Sequence, residues 1–327
     1  MTNPADWAAS ASWQSLQQRS QTLNDIRRFF HKRNVLEVDT PVLMSGGSTD
    51  LFLDSLTANV TTIEGTKELY LQTSPEFALK RLLATHGQSI FQIAKCFRDG
   101  EAGRRHNPEF TMLEWYRMGF TFDQLIDEVA DLVGALLNRS KRRVLSYREV
   151  FKQYLGIDPL LADHAALNVL CIDKTGCDMS EESEASCLDL LMSHEVEPHL
   201  GRDELTFVYD FPASQAALSK IEMKDGVAVA RRFELYVEGS ELANGYDELL
   251  DSEEQAKRFE QDNILRDQFG KPVIRHDEKL IDALAYGQLA GQQVTCCGVA
   301  LGIERLLMIQ HSYEDIADVM SFNFAKV

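Results

Sequence analysis

The stretch Phe97 to Tyr116, FRDGEAGRRHNPEFTMLEWY, limits the possible folds more than any other part of the chain. Its ends are aromatic and β-favouring, while its middle gathers Arg98, Arg104, Arg105 and His106 around Gly100 and Gly103. That pattern reads as strand, charged loop, strand. Such a hairpin needs sheet neighbours, and the rest of the chain offers them. Residues 35–40, stopped by Pro41, residues 68–74, LTFVYDFP, VAVARRFELYV and a run from Val294 to Val299 all read as strands. Apolar residues at helical spacing predict helices over 16–33, after Pro75, over 121–139, near 252–268 and from Ile303 onward. Strands and helices segregated in this way argue an α+β class, with an antiparallel β-sheet flanked by helices. Residues from about 157 to 202, rich in small acidic and polar side chains, read as a small helical insertion within one domain spanning 1–327.

With 327 residues, 44% of them hydrophobic, the chain can bury a substantial core. Its 33 basic and 51 acidic side chains leave a net charge of -18, which opposes the counterion release that drives nucleic-acid binding. DNA is therefore not expected as a partner, and tRNA binding is disfavoured. The six cysteines form no CxxC pair, so reduced thiols are expected. The first residues lack a basic start followed by an apolar run, and no stretch approaches 18 uncharged apolar residues. A cytoplasmic protein with no membrane partner is the expectation.

No P-loop, no GxSxG elbow, no HExxH and no strand-linked GxGxxG is present, so any polyphosphate must be held by other means. Arginines projected from one loop can do this, since each guanidinium fork matches phosphate oxygens two at a time. An adjacent aromatic, Phe110, can stack on a base. A second segment, RFELYVEGSELANGYDE, carries Glu234, Glu241 and Glu248. Residues seven apart face opposite ways on a flat strand, but Gly239-Ser240 and Asn244-Gly245 read as turns that fold these carboxylates to one side. Convergent hard oxygen ligands suit Mg2+.

Three anchors carry a resemblance. FRDGEAGRRHNPEFTMLEWY is similar to motif 2 of lysyl-type class II aminoacyl-tRNA synthetases, GVALGIERL resembles motif 3, and RRFFHKRNVLEVDTP resembles motif 1, which builds a homodimer interface in that family. Together they span about residues 20 to 325. The resemblance implies the class II synthetase catalytic fold, with ATP as co-substrate and Mg2+ as cofactor. It places Arg98 at the α-phosphate and Arg305 at the distal phosphate as the two catalytic cations. It places Asp99, Glu101, Arg105, His106, Asn107, Phe110, Glu241, Leu242 and Gly302 around the nucleotide, and Glu234 with Glu241 at the metal. Ser74, Pro75, Glu76, Tyr116, Asn244, Glu248 and Ala300 fall at the amino acid, with Glu114 in support.

Two departures refine the expectation. Motif 1 is under way by residue 27, which leaves no anticodon-binding domain before it, and Ala300 stands where the lysyl enzymes have glycine. A single methyl at a pocket floor discriminates by roughly 1–3 kcal/mol between related substrates. Both features resemble short paralogues that activate (R)-β-lysine and ligate it to a lysine of elongation factor P. The alternatives are a synthetase fragment acting on tRNA or a small acceptor, and a silent regulatory paralogue. The latter is suggested by Gly100, which takes the place of the usual motif 2 glutamate, with Glu101 one position on.

Overall fold

The computed structural model describes residues 7–289 and 295–327. Val294, the expected start of a strand, and residues 1–6 of the N-terminal reading lie outside them. The chain forms two compact units: Met1–Gly119 with Leu249–Cys296 and Ala300–Val327, and Phe120–Glu248 with Cys297–Val299.

In the first unit the strands Ile90–Phe97 and Glu109–Met118 pair antiparallel, from Ile90 opposite Tyr116 to Phe97 opposite Glu109. The charged loop is thus a hairpin tip held by two regular strands. Along the outer side of Ile90–Phe97 runs the short parallel strand Leu36–Glu37. Six residues were expected in that strand and two pair; the Val38 N–H still donates to the Phe91 carbonyl at 2.9 Å, and Pro41, which has no N–H to give a ladder, lies beyond. The N-terminal helix Trp13–His31 starts at Ser12, whose side chain accepts from the Ser15 N–H, and it buries Ile26 and Phe30. Phe30 stacks on Phe91 at 4.5 Å and meets Trp115 edge-on at 5.2 Å, which locks this helix onto the hairpin. A separate small layer joins Leu43–Met44, Gly65–Leu71 and Thr57–Thr62.

In the second unit Leu205–Pro212, Val227–Val237 and Ser240–Asp247 pair antiparallel, and Arg142–Ser146 adds a parallel strand beside Leu205–Pro212. The helix Phe122–Leu137 opens with a reciprocal Thr121/Gln124 capping box and buries its apolar stripe. Residues 157–202 contain the helices His164–Thr175 and Glu184–Leu191, whose Leu167, Cys171, Cys187 and Leu191 close a core with Tyr147 and Phe151. Each unit therefore sets helices on a mainly antiparallel sheet, the α+β arrangement expected.

The expected turn at Asn244-Gly245 is corrected by the structure: both residues lie inside the strand Ser240–Asp247. The hairpin turn is made by Glu238 and Gly239, one residue before the expected Gly239-Ser240, and their φ values of 52° and 69° suit a tight hairpin. Gly245 has a different reason to be glycine. It faces Phe233 across the ladder, and a Cβ there would lie 2.4 Å from the Phe233 ring. That ring is fully buried and hemmed in by Phe122 and Phe207, so it has nowhere to move. Gly245→Ala is expected to cost about 1–3 kcal/mol by overpacking; an unchanged thermal unfolding midpoint would refute the crowding.

Candidate active site

In the first unit the loop between Arg98 and Pro108 is closed at its base by the Arg98 N–H donating to the Pro108 carbonyl at 2.9 Å. Gly100 has φ +77°, with nothing within 4 Å of a Cβ built there. The left-handed backbone explains a glycine at this position. Glu101 approaches Arg98 at 3.6 Å, while Asp99 turns back to accept from the Gly100 N–H. The Arg98 guanidinium sits 5.0 Å over the Phe110 ring, and its Nε is buried without a hydrogen-bond partner. A half-buried cation with an unused donor beside an aromatic face is suited to a nucleotide.

His106 and Arg305 meet at 3.1 Å between Nε2 and Nη2, so the loop and the start of the helix Ile303–His311 bring two basic groups together. Gly302 precedes that helix with an ordinary φ of -76°. A Cβ on it would meet only the Arg305 Cβ, at 3.8 Å. The protein's own packing does not require glycine here; the free space favours a ligand approaching the backbone. Asn107 is used at both ends, donating to the Glu109 carbonyl at 2.7 Å and accepting from the Phe324 N–H at 2.8 Å. Arg104, by contrast, is tied to Glu314. Arg105 is exposed on the same loop.

The expected amino-acid residues of this unit cluster at the start of the helix Glu76–His86. The Ser74 hydroxyl accepts from the Glu76 N–H at 3.2 Å and Pro75 occupies the cap position. Glu76 lies 2.7 Å from Lys80, one turn on and buried. Tyr116 is buried against Leu79 and Leu83 of that helix, and its hydroxyl donates to Glu114 at 2.6 Å. Ala300 and Phe110 pack on Cys96, whose thiol burial pushes far above its ordinary value.

In the second unit the carboxylates reach one face by a bulge. Glu234 pairs with Asn244 and Leu235 with Ala243, but Tyr236 pairs with Glu241, which leaves Leu242 as the extra residue. Without that insertion Tyr236 would face Leu242, and Glu241 would point to the opposite side. With it, Arg232, Glu234, Tyr236, Glu241 and Asn244 share a face. Glu234 accepts from both Arg232 and Tyr236. Burial, opposed chiefly by Arg232 and reinforced by Glu241, pushes its carboxyl up to about 7. The Asn244 Oδ1 is buried and accepts nothing, and Glu248 is buried just beyond the strand. Two carboxylates and one guanidinium leave this face short of positive charge, which fits a hard divalent cation bound through oxygen.

Sequence reasoning missed Glu304, buried between Arg19 at 2.9 Å and the Thr111 N–H at 2.8 Å. It also missed Arg232 and Tyr236, although the alternation R-F-E-L-Y places both on the Glu234 face. A sequence model of the tRNA synthetases class II (D, K and N) matches residues 4–326. The chain belongs to that family. Within it, the chain is 45% identical to the elongation factor P–(R)-beta-lysine ligase of Photorhabdus laumondii over all of both chains. It is also 45% identical to those of Yersinia enterocolitica, over 98% of each chain, and Histophilus somni, over 97% of each. Among the described residues, no helix is long and apolar enough to cross a membrane.

Proposed function

We propose that this class II synthetase relative is a cytoplasmic ATP-dependent ligase that activates (R)-β-lysine and joins it to a lysine side chain of elongation factor P. The observation that carries this reading is the 45% identity along the whole of both chains to a relative of that name. The relatives favour this acceptor over tRNA, and they favour an active enzyme over a silent paralogue. We further propose one catalytic domain with an insertion at about 157–202, acting as a homodimer; the exposed Leu36 on an outer strand supports a partner surface in the motif 1 segment.

Arg98, with Arg105, His106 and Arg305, would hold the triphosphate, and Phe110 would carry the adenine, with Asp99, Glu101, Asn107, Leu242 and Gly302 lining the nucleotide. Mg2+, held by Glu234 and Glu241, would neutralise phosphate charge. Glu76, Glu248 and Asn244 would take the substrate's two ammonium groups, with Ser74, Pro75, Tyr116 and Ala300 shaping the pocket. A carboxylate oxygen of the amino acid attacks the α-phosphorus, an acyl-adenylate forms and pyrophosphate leaves. The Arg98 guanidinium stabilises the charge that builds there. The acceptor lysine amine then attacks the adenylate carbonyl, forming the amide and releasing AMP and a proton, with orientation supplying much of the rate.

ATP–pyrophosphate exchange with (R)-β-lysine, α-lysine or no amino acid tests the first step, and transfer of labelled β-lysine to elongation factor P tests the second. Exchange dependent on β-lysine and label on the protein acceptor are expected. Label on tRNA, or no exchange with either amino acid, would overturn the reading.

A further inference from the structure

Gln255 lies in the first turn of the helix Ser252–Gln268 and is 1% exposed. Both of its amide atoms, Oε1 and Nε2, are buried without a hydrogen-bond partner. A buried polar atom left unbonded is costly, and one side chain here carries two. Native proteins rarely retain such a group unless something else satisfies it.

Its neighbours show where the amide sits. Leu250, just before the helix, packs against the buried cluster of Leu79, Leu83, Ile90, Tyr116 and Cys296. Phe259 is one turn beyond Gln255 on the same helix face, and its ring lies 5.7 Å from that of Phe77. Gln255 therefore lies between Leu250, which packs on the cluster that holds Tyr116, and Phe259, which packs on Phe77, the residue after Glu76. Tyr116 and Glu76 are residues assigned above to the amino acid, and both belong with Gln255 to the first unit.

We propose that Gln255 is a substrate-contacting residue of the amino-acid pocket, its Oε1 accepting from a substrate ammonium and its Nε2 donating to an oxygen of the bound substrate. The inference rests on the amino-acid-activating function proposed above. A primary amide suits this position because it supplies one acceptor and one donor without adding charge. It refines selectivity beside carboxylates that already provide the attraction. A substrate lacking the ammonium would leave the amide unsatisfied, and such sites discriminate strongly against analogues without the polar group.

Gln255→Met, close in shape and without the amide, separates this role from a structural one. In ATP–pyrophosphate exchange the KM for the amino acid is expected to rise roughly tenfold to a hundredfold, with the KM for ATP unchanged. The thermal midpoint is expected to hold or rise, since the unliganded protein gains nothing from the amide. Gln255→Glu, which keeps an acceptor, should restore part of the amino-acid affinity. Unchanged amino-acid KM in Gln255→Met, or a fall in its thermal midpoint with ATP and amino acid affected alike, would overturn the proposal. Wild-type protein inactive with every amino acid would instead count against the underlying function, so the two failures are distinguishable.

Discussion

Arg98→Ala is expected to lower the rate of ATP–pyrophosphate exchange by about 10²–10³-fold while leaving the thermal midpoint almost unchanged. The rate effect follows from where the guanidinium stands. Its backbone is fixed by the hairpin base at Pro108, its guanidinium carbon stands 5.0 Å over the Phe110 ring and its Nε has no hydrogen-bond partner among the described residues. The group is held in place by its surroundings and then left with a donor to spare, as preorganised stabilisation of a developing charge requires. Little stability is at stake, because its carboxylate neighbour, Glu101, is only a long 3.6 Å contact in a partly exposed loop. Arg98→Lys should recover only a small part of the rate, since an ammonium keeps the charge but loses the planar fork. Equal activity in Arg98→Ala and wild type would remove the α-phosphate role.

The strand-loop-strand around these arginines was legible because aromatic and β-branched residues flank a run of charge and glycine. The helix stripes were legible for the equally local reason of their 3.6-residue period. What could not be read was anything set by register. Glu241 joins Glu234 only because Leu242 bulges, and a bulge leaves no mark in composition. Gly245 looked like a turn residue, but it is glycine because the Phe233 ring opposes it from the neighbouring strand. Pairings remote in sequence were hidden in the same way. Glu304 is one residue before an arginine that the motif singled out, yet its partners are Arg19 and Thr111, each more than 190 positions away. The family resemblance supplied the site residues that period and propensity could not; their spatial relation comes from strand pairing.

Glu304→Ala should destabilise the first unit by about 3 kcal/mol. The carboxylate is 2% exposed and serves two unrelated segments, with one oxygen on the Arg19 guanidinium and the other on the Thr111 N–H. Removing it leaves a buried N–H unsatisfied and strands Arg19, which is itself largely covered, keeping only the Thr111 hydroxyl at 2.7 Å and a weak 3.4 Å contact to the Val319 carbonyl. The cost of breaking such a pair lies mostly in the partners left behind, so Glu304→Gln, which still offers an acceptor to Thr111, should lose less. The thermal midpoint is expected to fall by several degrees in Glu304→Ala and by less in Glu304→Gln. Activity is expected to fall with it below the midpoint too, because Arg305 is the next residue on the same helix turn and its reach toward His106 depends on that turn being pinned. Restoring the pair in reverse would be no remedy, since the Thr111 backbone N–H that faces position 304 is a donor and requires an acceptor. A Glu304→Ala protein with unchanged midpoint and undiminished exchange would show that the helix Ile303–His311 and its Arg305 hold their place without help from this carboxylate.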